Sequence, residues 1–302
     1  MSTVKKKVFD KKLAFYCAMV ALPILQFLIF YVYVNFNSFI LAFTNYEGGM
    51  QTFAGFENFK KAFIEFFNSP VSAQHGVQFK NSLVFYGLSM AFHTGFAVLF
   101  SYYIYKKQLF SGLFKIILFL PNIIPGIAMA TIYKQTVSNA LKMILADMGI
   151  IVNSFFDSDL TFGVILFYNL FFGYGTQVMM YLGAMNKINP AITEASELDG
   201  ASFMRELWSI TLPCIFSTIS TFVVVGLTGI FAADMGLYSF FGEGAPSSPQ
   251  TLGYWLMRET RMNIGNESRY PFIATVGLCF TIIVAPITIV LRRLLDKLDP
   301  LN

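Results

Sequence analysis

The sequence has little charge and few of the residues on which most metal and catalytic sites depend. Asp, Glu, Lys and Arg make up only 13% of its 302 residues, compared with about 25% in an average soluble domain. It contains two histidines and three cysteines, and the cysteines lack the spacing of a metal site. Neither an HExxH motif nor a cluster of paired acids within an apolar run is present. We therefore predict that the chain is not an enzyme, with no catalytic residue, no metal ligand and no cofactor of its own.

Long stretches without charge take the place of those residues. Hydrophobic residues make up 56% of the sequence, and its mean hydropathy is +0.60. Six windows of 18 or more residues contain no Asp, Glu, Lys or Arg, and a helix of about 20 apolar residues crosses a bilayer core. We therefore predict an all-α membrane protein with one transmembrane domain over residues 1–302. Its six transmembrane helices are expected at about 14–43, 81–105, 112–134, 161–185, 211–236 and 271–292.

Basic residues predict the orientation of these helices. The first twelve residues hold five lysines, Lys106 and Lys107 follow the second helix, and Arg292 and Arg293 follow the sixth. By the positive-inside rule, all of these lie in the cytoplasm, so both termini are predicted to be cytoplasmic. Lysine runs also occur in segments that bind nucleic acid, but before a hydrophobic helix they are typical of a topology signal. We therefore predict a lipid bilayer, and no nucleic acid, as the surroundings of this chain.

One polar stretch, EASELDGASFMRELWSITLP at 194–213, interrupts the apolar sequence between the fourth and fifth helices. Asn189 and Pro190 are typical of a helix start, and Gly200 after Asp199 is typical of a turn. A second short helix would then lead to Pro213. Connections are usually about 4–6 residues long, so a loop over 187–212 with internal helices favours a docking element. The alternative interpretation is a solvated loop between two spans.

The spacing within this stretch resembles the EAA loop of ABC importer permeases. The matching residues are Glu194, Ala195, Gly200, Ile210, Leu212 and Pro213, whereas Ser196 replaces the second alanine of that pattern. Further segments, among them LFLPNIIPGIAMATIY and FAADMGLYSFFGEGAPSSPQTLGYWL, are similar to the binding-protein-dependent sugar permeases. The order and spacing of these segments look like the maltose-type first permease subunit in a six-helix form.

The resemblance implies both a role and partners. It implies that the loop is a cytoplasmic coupling-helix hairpin, docked on a separate ATPase subunit through Glu194, Ala195, Ser196, Leu198, Asp199, Gly200 and Ala201. The expected partners are a second permease subunit, two ATPase subunits that bind ATP and Mg, and an extracytoplasmic solute-binding protein. The expected location is the bacterial cytoplasmic (inner) membrane, which the chain would cross several times.

The few polar residues within the predicted helices are candidates for the solute path. Asp234 is the main ionisable residue there, and it either binds a hydroxylated solute or accepts backbone hydrogen bonds at the end of the fifth helix. Amides and aromatic faces suit a neutral sugar, which favours import of an oligosaccharide. The predicted path residues are Asn169, Tyr174, Gln177, Asp234 and Tyr238.

Two alternatives remain open at this point. A permease for a phosphorylated polyol or a uronate oligomer should have basic residues along the path, and only Lys134 lies near it. An ion-coupled secondary transporter should have buried acids and, in many cases, inverted repeats. Neither of these features is evident in the sequence.

Overall fold

The computed structural model describes residues 11–47, 50–157 and 159–300. The chain forms two compact units. One contains the chain up to Ile64 together with Asn263–Cys279, and the other contains Glu65–Met262 together with the chain from Phe280 onward. Helices dominate the described residues, in agreement with the predicted all-α class.

The order of elements along the described chain is as follows. It consists of α1 (Lys11–Gln26), a π-helical turn (Phe27–Tyr33), α2 (Val34–Ala42), β1 (Thr44–Glu47), β2 (Met50–Phe53), α3 (Glu57–Phe67), α4 (Ser72–Tyr105), α5 (Ser111–Ile123), α6 (Gly126–Gln135), a π-helical turn (Thr136–Leu141), α7 (Lys142–Asp147), α8 (Thr161–Phe172), α9 (Gly175–Met185), α10 (Pro190–Leu198), α11 (Phe203–Glu206), a π-helical turn (Leu207–Thr211), α12 (Leu212–Thr228), α13 (Leu237–Phe241), α14 (Leu252–Met262) and α15 (Tyr270–Leu298).

Several of these helices join into segments that can span a membrane. Within the described residues, five are long and apolar enough by length and composition, and a sixth is possible if one bent pair of helices counts as a single span. The five are Phe15–Ala42, Ser72–Tyr105, Thr161–Met185, Phe203–Thr228 and Tyr270–Leu298, and the bent pair is Ser111–Ile123 with Gly126–Asp147.

The third predicted span, at 112–134, is broken rather than gently bent. Its two halves meet at an angle of 103°. Ile124 has extended backbone angles, with ψ of 135°, because the ring of the following Pro125 disfavours the helical conformation at the preceding residue. Pro121, by contrast, lies inside α5. One proline therefore divides this span.

The fifth span runs over Phe203–Thr228 instead of the predicted 211–236. It begins earlier because Ser202 caps its first turn, with the hydroxyl accepting a hydrogen bond from the Arg205 N–H at 3.4 Å. The π-helical turn at Leu207–Thr211 then precedes Pro213, which has no N–H to donate to the preceding turn. Asp234 consequently lies beyond the end of this helix rather than within it.

The second span begins at Ser72 rather than near residue 81 because its first turns find polar partners. The Asn81 amide donates to the carbonyls of Ser248 and Gln250, at 2.7 and 2.9 Å. The Gln78 amide donates to the Gln250 side chain at 2.9 Å. These bonds satisfy buried polar groups that would otherwise disfavour a helix in an apolar environment.

The first unit consists of the helix Phe15–Ala42, an antiparallel hairpin of β1 and β2, the start of α3 and the start of α15. The Asn58 side-chain amide binds the C-terminal end of the Phe15–Ala42 helix, donating to the carbonyls of Ala42 at 3.3 Å and Thr44 at 2.8 Å. The Thr275 hydroxyl also donates to the Ala42 carbonyl, at 3.2 Å. None of the most apolar window of the Phe15–Ala42 helix is buried within the chain.

The second unit has its core around α4 and α9. Tyr102, Tyr181 and Met185 are fully buried there, and the aromatic ring of Tyr181 meets that of Phe222 edge to face. A second apolar cluster surrounds Ile165 and joins α6, α8 and α13. These clusters position the two polar regions described next.

Candidate functional site

Residues 190–206 form two short helices joined by a turn, which we call the polar hairpin. The Asn189 side chain accepts a hydrogen bond from the Ala191 N–H at 3.1 Å, and Pro190 occupies the first position of α10. Gly200 ends this helix with a φ of +73°, an angle that is costly for residues with a side chain. The polar residues of this stretch thus form an ordered element.

The predicted coupling residues lie on two different faces of the polar hairpin. Ser196 is buried and donates its hydroxyl hydrogen bond to the Thr193 carbonyl at 2.8 Å. Leu198 is 90% exposed, which is unusual for a large apolar side chain. Of the other predicted residues, Ala201 is half-buried, and the exposed ones are Glu194, Ala195, Asp199 and Gly200.

Lys106, directly after α4, holds both helices of the polar hairpin. Its ammonium lies 2.7 Å from a Glu197 carboxylate oxygen on α10 and 3.0 Å from a Glu206 oxygen on α11. The Glu206 side chain is only 3% exposed, whereas that of Glu197 is 62% exposed. From the sequence, Lys106 is predicted only as a topology signal, because about a hundred residues separate it from the two glutamates.

The electrostatics of this three-residue group favour a permanently charged lysine. Burial alone would lower the pKa of the Lys106 ammonium, but hydrogen bonds and charge from Glu197 and Glu206 outweigh burial and raise it above its ordinary value. Glu206 is therefore a buried carboxylate with its counter-ion in place. We refer to these three residues as the Lys106 clamp.

An aromatic contact adds to the Lys106 clamp. The Tyr102 hydroxyl donates to the Phe203 carbonyl at 3.1 Å, and the two rings lie 4.5 Å apart. Tyr102 is fully buried, so it fixes the first residue of α11 against α4. By contrast, Glu194 and Asp199 make no side-chain hydrogen bond or ion pair with any part of the chain that the structure describes.

The predicted path residues fall into two groups, and the first surrounds Asn169. The Asn169 side-chain amide donates to the Met235 carbonyl at 2.9 Å. The backbone carbonyl of Asn169 accepts a hydrogen bond from the His93 ring at 3.0 Å. Tyr174 is buried, with its ring centre 6.0 Å from that of His93. Gln177 is half-buried, and its side-chain oxygen has no hydrogen-bond partner within the described residues.

The second group contains Asp234 and Tyr238. The Asp234 carboxylate accepts hydrogen bonds from the N–H groups of Gly236 at 3.0 Å and Tyr238 at 3.3 Å. The guanidinium of Arg261 lies 4.3 Å from the centre of the Tyr238 ring and donates to its hydroxyl. Asp234 thus makes the backbone hydrogen bonds expected if it holds the end of the fifth helix, which is one of the two interpretations drawn from the sequence.

Titratable residues do not gather into a metal site in the described part of the chain. No group of three or more His, Cys, Asp or Glu side chains there is placed to hold an ion. The described residues instead form an exposed polar hairpin, held on its buried side by the Lys106 clamp, and a set of polar residues around Asn169.

Comparison with known proteins places these features in context. The chain is 22% identical over 187 residues to "Multiple sugar-binding transport system permease protein MsmF" of Streptococcus mutans serotype c (strain ATCC 700610 / UA159). This match covers 60% of this chain and 62% of that protein. The match thus spans less than two thirds of the relative's length. It is also 22% identical over 280 residues to "Arabinooligosaccharides transport system permease protein AraP" of Bacillus subtilis (strain 168), covering 90% of this chain and 85% of that one.

The fold is also found in a solved structure. A chain from the "Crystal structure of a bacterial ABC transporter involved in the import of the acidic polysaccharide alginate" matches with a TM-score of 0.76 and 22% identity, over 95% of this chain and 96% of that one. Residues 85–301 match the family model described as "Binding-protein-dependent transport system inner membrane component". The resemblance read from the sequence is confirmed, and the chain belongs to this family of inner membrane transport components.

Proposed function

We propose that this chain is the membrane-spanning permease subunit of an ATP-driven importer that moves a sugar, with an oligosaccharide favoured, into the cytoplasm. The observation that carries the proposal is the polar hairpin, which exposes Leu198, Glu194 and Asp199 while the Lys106 clamp fixes its buried side. Residues 85–301 match the binding-protein-dependent inner membrane components, and the resemblance to ABC importer permeases implies that work reaches this chain from a separate ATPase. An exposed, stiffly held element is suited to that task.

The sugar substrate is supported by two independent features. The relatives MsmF and AraP are described as permeases for multiple sugars and for arabinooligosaccharides. The residues around the predicted path, including Asn169, Tyr174 and Gln177, are neutral amides and aromatics of the kind that bind hydroxyl groups and sugar rings. Neither the family match nor these relatives support the ion-coupled alternative.

The remaining partners follow from the family description. A binding-protein-dependent permease works with an extracytoplasmic solute-binding protein, and we infer a second permease subunit and two ATPase subunits that bind ATP and Mg. Lys106 and Lys107 lie beside the polar hairpin at the end of α4, and the positive-inside rule assigns that side to the cytoplasm. Both termini would share that side, and the chain would act as one permease domain.

The mechanism we infer is a lever rather than a chemical reaction. Closure of two ATPase subunits would move the polar hairpin as a rigid body, and packed helices respond to such motion by shifting between discrete arrangements. The Lys106 clamp and the contact between Tyr102 and Phe203 tie α10 and α11 to α4. Movement of the hairpin would therefore reach the α4 span directly.

The test is a substitution on the exposed face of the polar hairpin. Leu198→Ser should leave the membrane level and the thermal unfolding of the chain unchanged, because the side chain is exposed. It should weaken co-purification of the co-expressed natural ATPase and lower ATP-dependent sugar uptake about tenfold or more, since burying a leucine contributes about 2 kcal/mol. Ile264→Ser removes another highly exposed aliphatic side chain outside the hairpin and is the matched control.

Two results would count against the proposal in different ways. Normal ATPase association and uptake in Leu198→Ser, and likewise in Glu194→Lys, would show that the polar hairpin does not dock the ATPase. A wild-type complex that hydrolyses ATP but takes up no sugar in the presence of its binding protein would show that the substrate class is wrong.

A further inference from the structure

A polar cavity lies between the α6 segment and α13, apart from the residues already assigned. Its volume is about 440 Å³, within the range of about 300–1,000 Å³ that is usual for small-molecule sites. Six of its eight lining residues have polar side chains, and one of these six is charged. The lining residues are Ala130, Thr131, Lys134, Gln135, Ser138, Asn139, Ser239 and Phe240.

The polar lining forms one stripe along the helical segment 131–139. Positions 131, 134, 135, 138 and 139 follow the spacing of a single helix face. Ile132, next to Thr131 in the same segment, exposes an apolar side chain instead. In a chain that spans a membrane, such a stripe is costly unless it faces protein, water or a polar solute. The stripe lines the cavity, so we expect the cavity to hold water or a solute.

Lys134 supplies the charge of this cavity. Its ammonium donates to the Phe240 carbonyl at 3.3 Å and lies 4.6 Å from the centre of the Phe241 ring. Among the described residues, no carboxylate forms an ion pair with it. An ammonium group has three N–H donors, so donors remain beyond the one that binds Phe240. The cavity thus carries a positive charge that no acid of the described chain neutralises.

The wall of the cavity is linked to the predicted path residues through α13 and α8. Ser239 and Phe240 directly follow Tyr238, and the Phe240 ring lies 5.0 Å from that of Tyr168 on α8. Tyr168 precedes Asn169, which binds the Met235 carbonyl just before α13. Phe240 thus connects the cavity wall to α8 beside Asn169, although the predicted path residues do not themselves line the cavity.

We propose that this cavity is a binding subsite for an acidic sugar unit, with the sugar carboxylate paired to the Lys134 ammonium and ring hydroxyls bonded to Ser138, Asn139 and Thr131. The proposal rests on the sugar importer proposed above and narrows its substrate class. A neutral sugar would satisfy the amides and hydroxyls but would leave the ammonium without a counter-charge. A carboxylate–ammonium hydrogen bond is roughly twice as strong as a neutral one, so the acidic sugar should bind more tightly.

The experiment compares galacturonate with galactose, which differ by the carboxylate at C6. Binding to the purified transporter, with its permease and ATPase partners but without the solute-binding protein, is followed by saturation-transfer NMR in phosphatidylcholine nanodiscs. Wild type should bind galacturonate about tenfold more tightly than galactose, the size expected for one charge-assisted hydrogen bond. Lys134→Gln should remove that preference, and Lys134→Arg should retain it.

Lys142→Gln is the matched control because Lys142 lies on the next helical segment and donates to the Asn153 carbonyl outside the cavity. Its preference should equal that of wild type. Equal binding of the two sugars by wild type, or an equal loss of preference in Lys142→Gln, would overturn the subsite. Loss of galacturonate binding when the nanodiscs contain phosphatidylglycerol would show that a lipid headgroup occupies the cavity. That result would also overturn the proposed subsite.

Failure of the subsite can be told apart from failure of the importer. One outcome is that proteoliposomes take up a neutral oligosaccharide equally well with wild type and Lys134→Gln, while the binding assay shows no preference for galacturonate. That outcome would support the importer and overturn the subsite. A Lys134-dependent preference in a complex that takes up no sugar would support the anion site while overturning the importer.

Discussion

The polar hairpin and the segment between α12 and α14, residues 229–251, are both rich in polar groups. The segment binds its polar side chains to the protein itself, whereas the polar hairpin exposes part of its own. In the segment, the Asp234 carboxylate, the Thr251 hydroxyl and the Gln250 amide all bind backbone groups within the segment. In the polar hairpin, the carboxylates of Glu194 and Asp199 find no partner in the described chain. The two regions belong to the same compact unit, so the difference is local.

The contrast separates structural polar residues from those available to a partner. Burying a polar group costs free energy unless a hydrogen bond replaces the one lost to water, and the segment meets this requirement through its own backbone and through Gln78 and Asn81 of α4. The polar hairpin meets it only on its inner side, where Lys106 neutralises Glu206. Its outer side keeps an exposed leucine and free carboxylates, which is typical of a surface that another protein covers.

The largest effect is expected from breaking the Lys106 clamp. Lys106→Met leaves the Glu206 carboxylate buried without a counter-ion, which should destabilise the second unit by about 3 kcal/mol. The measurement is thermal unfolding in detergent, together with ATPase association. Lys107→Met removes the neighbouring exposed lysine and should change neither. An unfolding temperature equal to wild type in Lys106→Met would show that the Lys106 clamp does not hold the hairpin.

The clamp also predicts a dependence on alkaline pH. The folded pKa of Lys106 is raised above 10.5, its ordinary value. A raised pKa means that the clamp contributes fully below this ordinary value and is lost as pH rises through the folded value. The unfolding temperature of wild type should therefore fall relative to that of the doubly substituted Lys106→Met/Glu206→Leu chain only in strong alkali. A relative fall of wild type near neutral pH would contradict the charged clamp.

Sequence reasoning reached the local features of the polar hairpin but not its attachment. Asn189, Pro190 and Gly200 are local signals, because a helix cap and a left-handed turn depend on adjacent residues. The Lys106 clamp depends on a contact across about a hundred residues, and no periodicity or composition encodes that pairing. Pro121 and Pro125 predict a bend in the third span but not the 103° break after Ile124, since a proline marks a helix interruption without fixing its angle.

The cavity between α6 and α13 shows the same limit of sequence-based prediction. The polar stripe over 131–139 can be read from the sequence as one helix face, yet Lys134 was noted there only as a lone basic residue. Its meaning depends on α13, whose Phe240 carbonyl and Phe241 ring meet the ammonium. α13 can form at 237–241 because α12 already ends at Thr228. The sequence predicts that end eight residues later, at 236. Local patterns thus identified the residues, and tertiary packing assigned their neighbours.

A smaller loss is expected from crowding the segment between α12 and α14. A side chain at Gly253 would lie 2.4–2.6 Å from backbone atoms of Ala232 and Ala233, and backbone cannot yield as a flexible side chain does. Gly253→Ala should lower the unfolding free energy by about 2 kcal/mol despite the better helix propensity of alanine. Gly163→Ala, where a Cβ meets nothing within 4 Å, should be neutral or stabilising. Equal unfolding temperatures would show that the segment is looser than its contacts indicate.

The smallest effect is expected at Asp234, where the comparison between the two regions is most directly tested. Asp234→Ala removes the acceptor for the Gly236 and Tyr238 N–H groups and should cost about 1 kcal/mol of stability, similar to the loss of a helix cap. Asp234→Asn keeps one acceptor oxygen and should recover most of that loss. If Asp234 is structural, sugar uptake by both variants should follow the amount of folded protein, with an unchanged apparent KM. A rise in KM in Asp234→Asn, with unfolding unchanged, would instead place this carboxylate in contact with the solute.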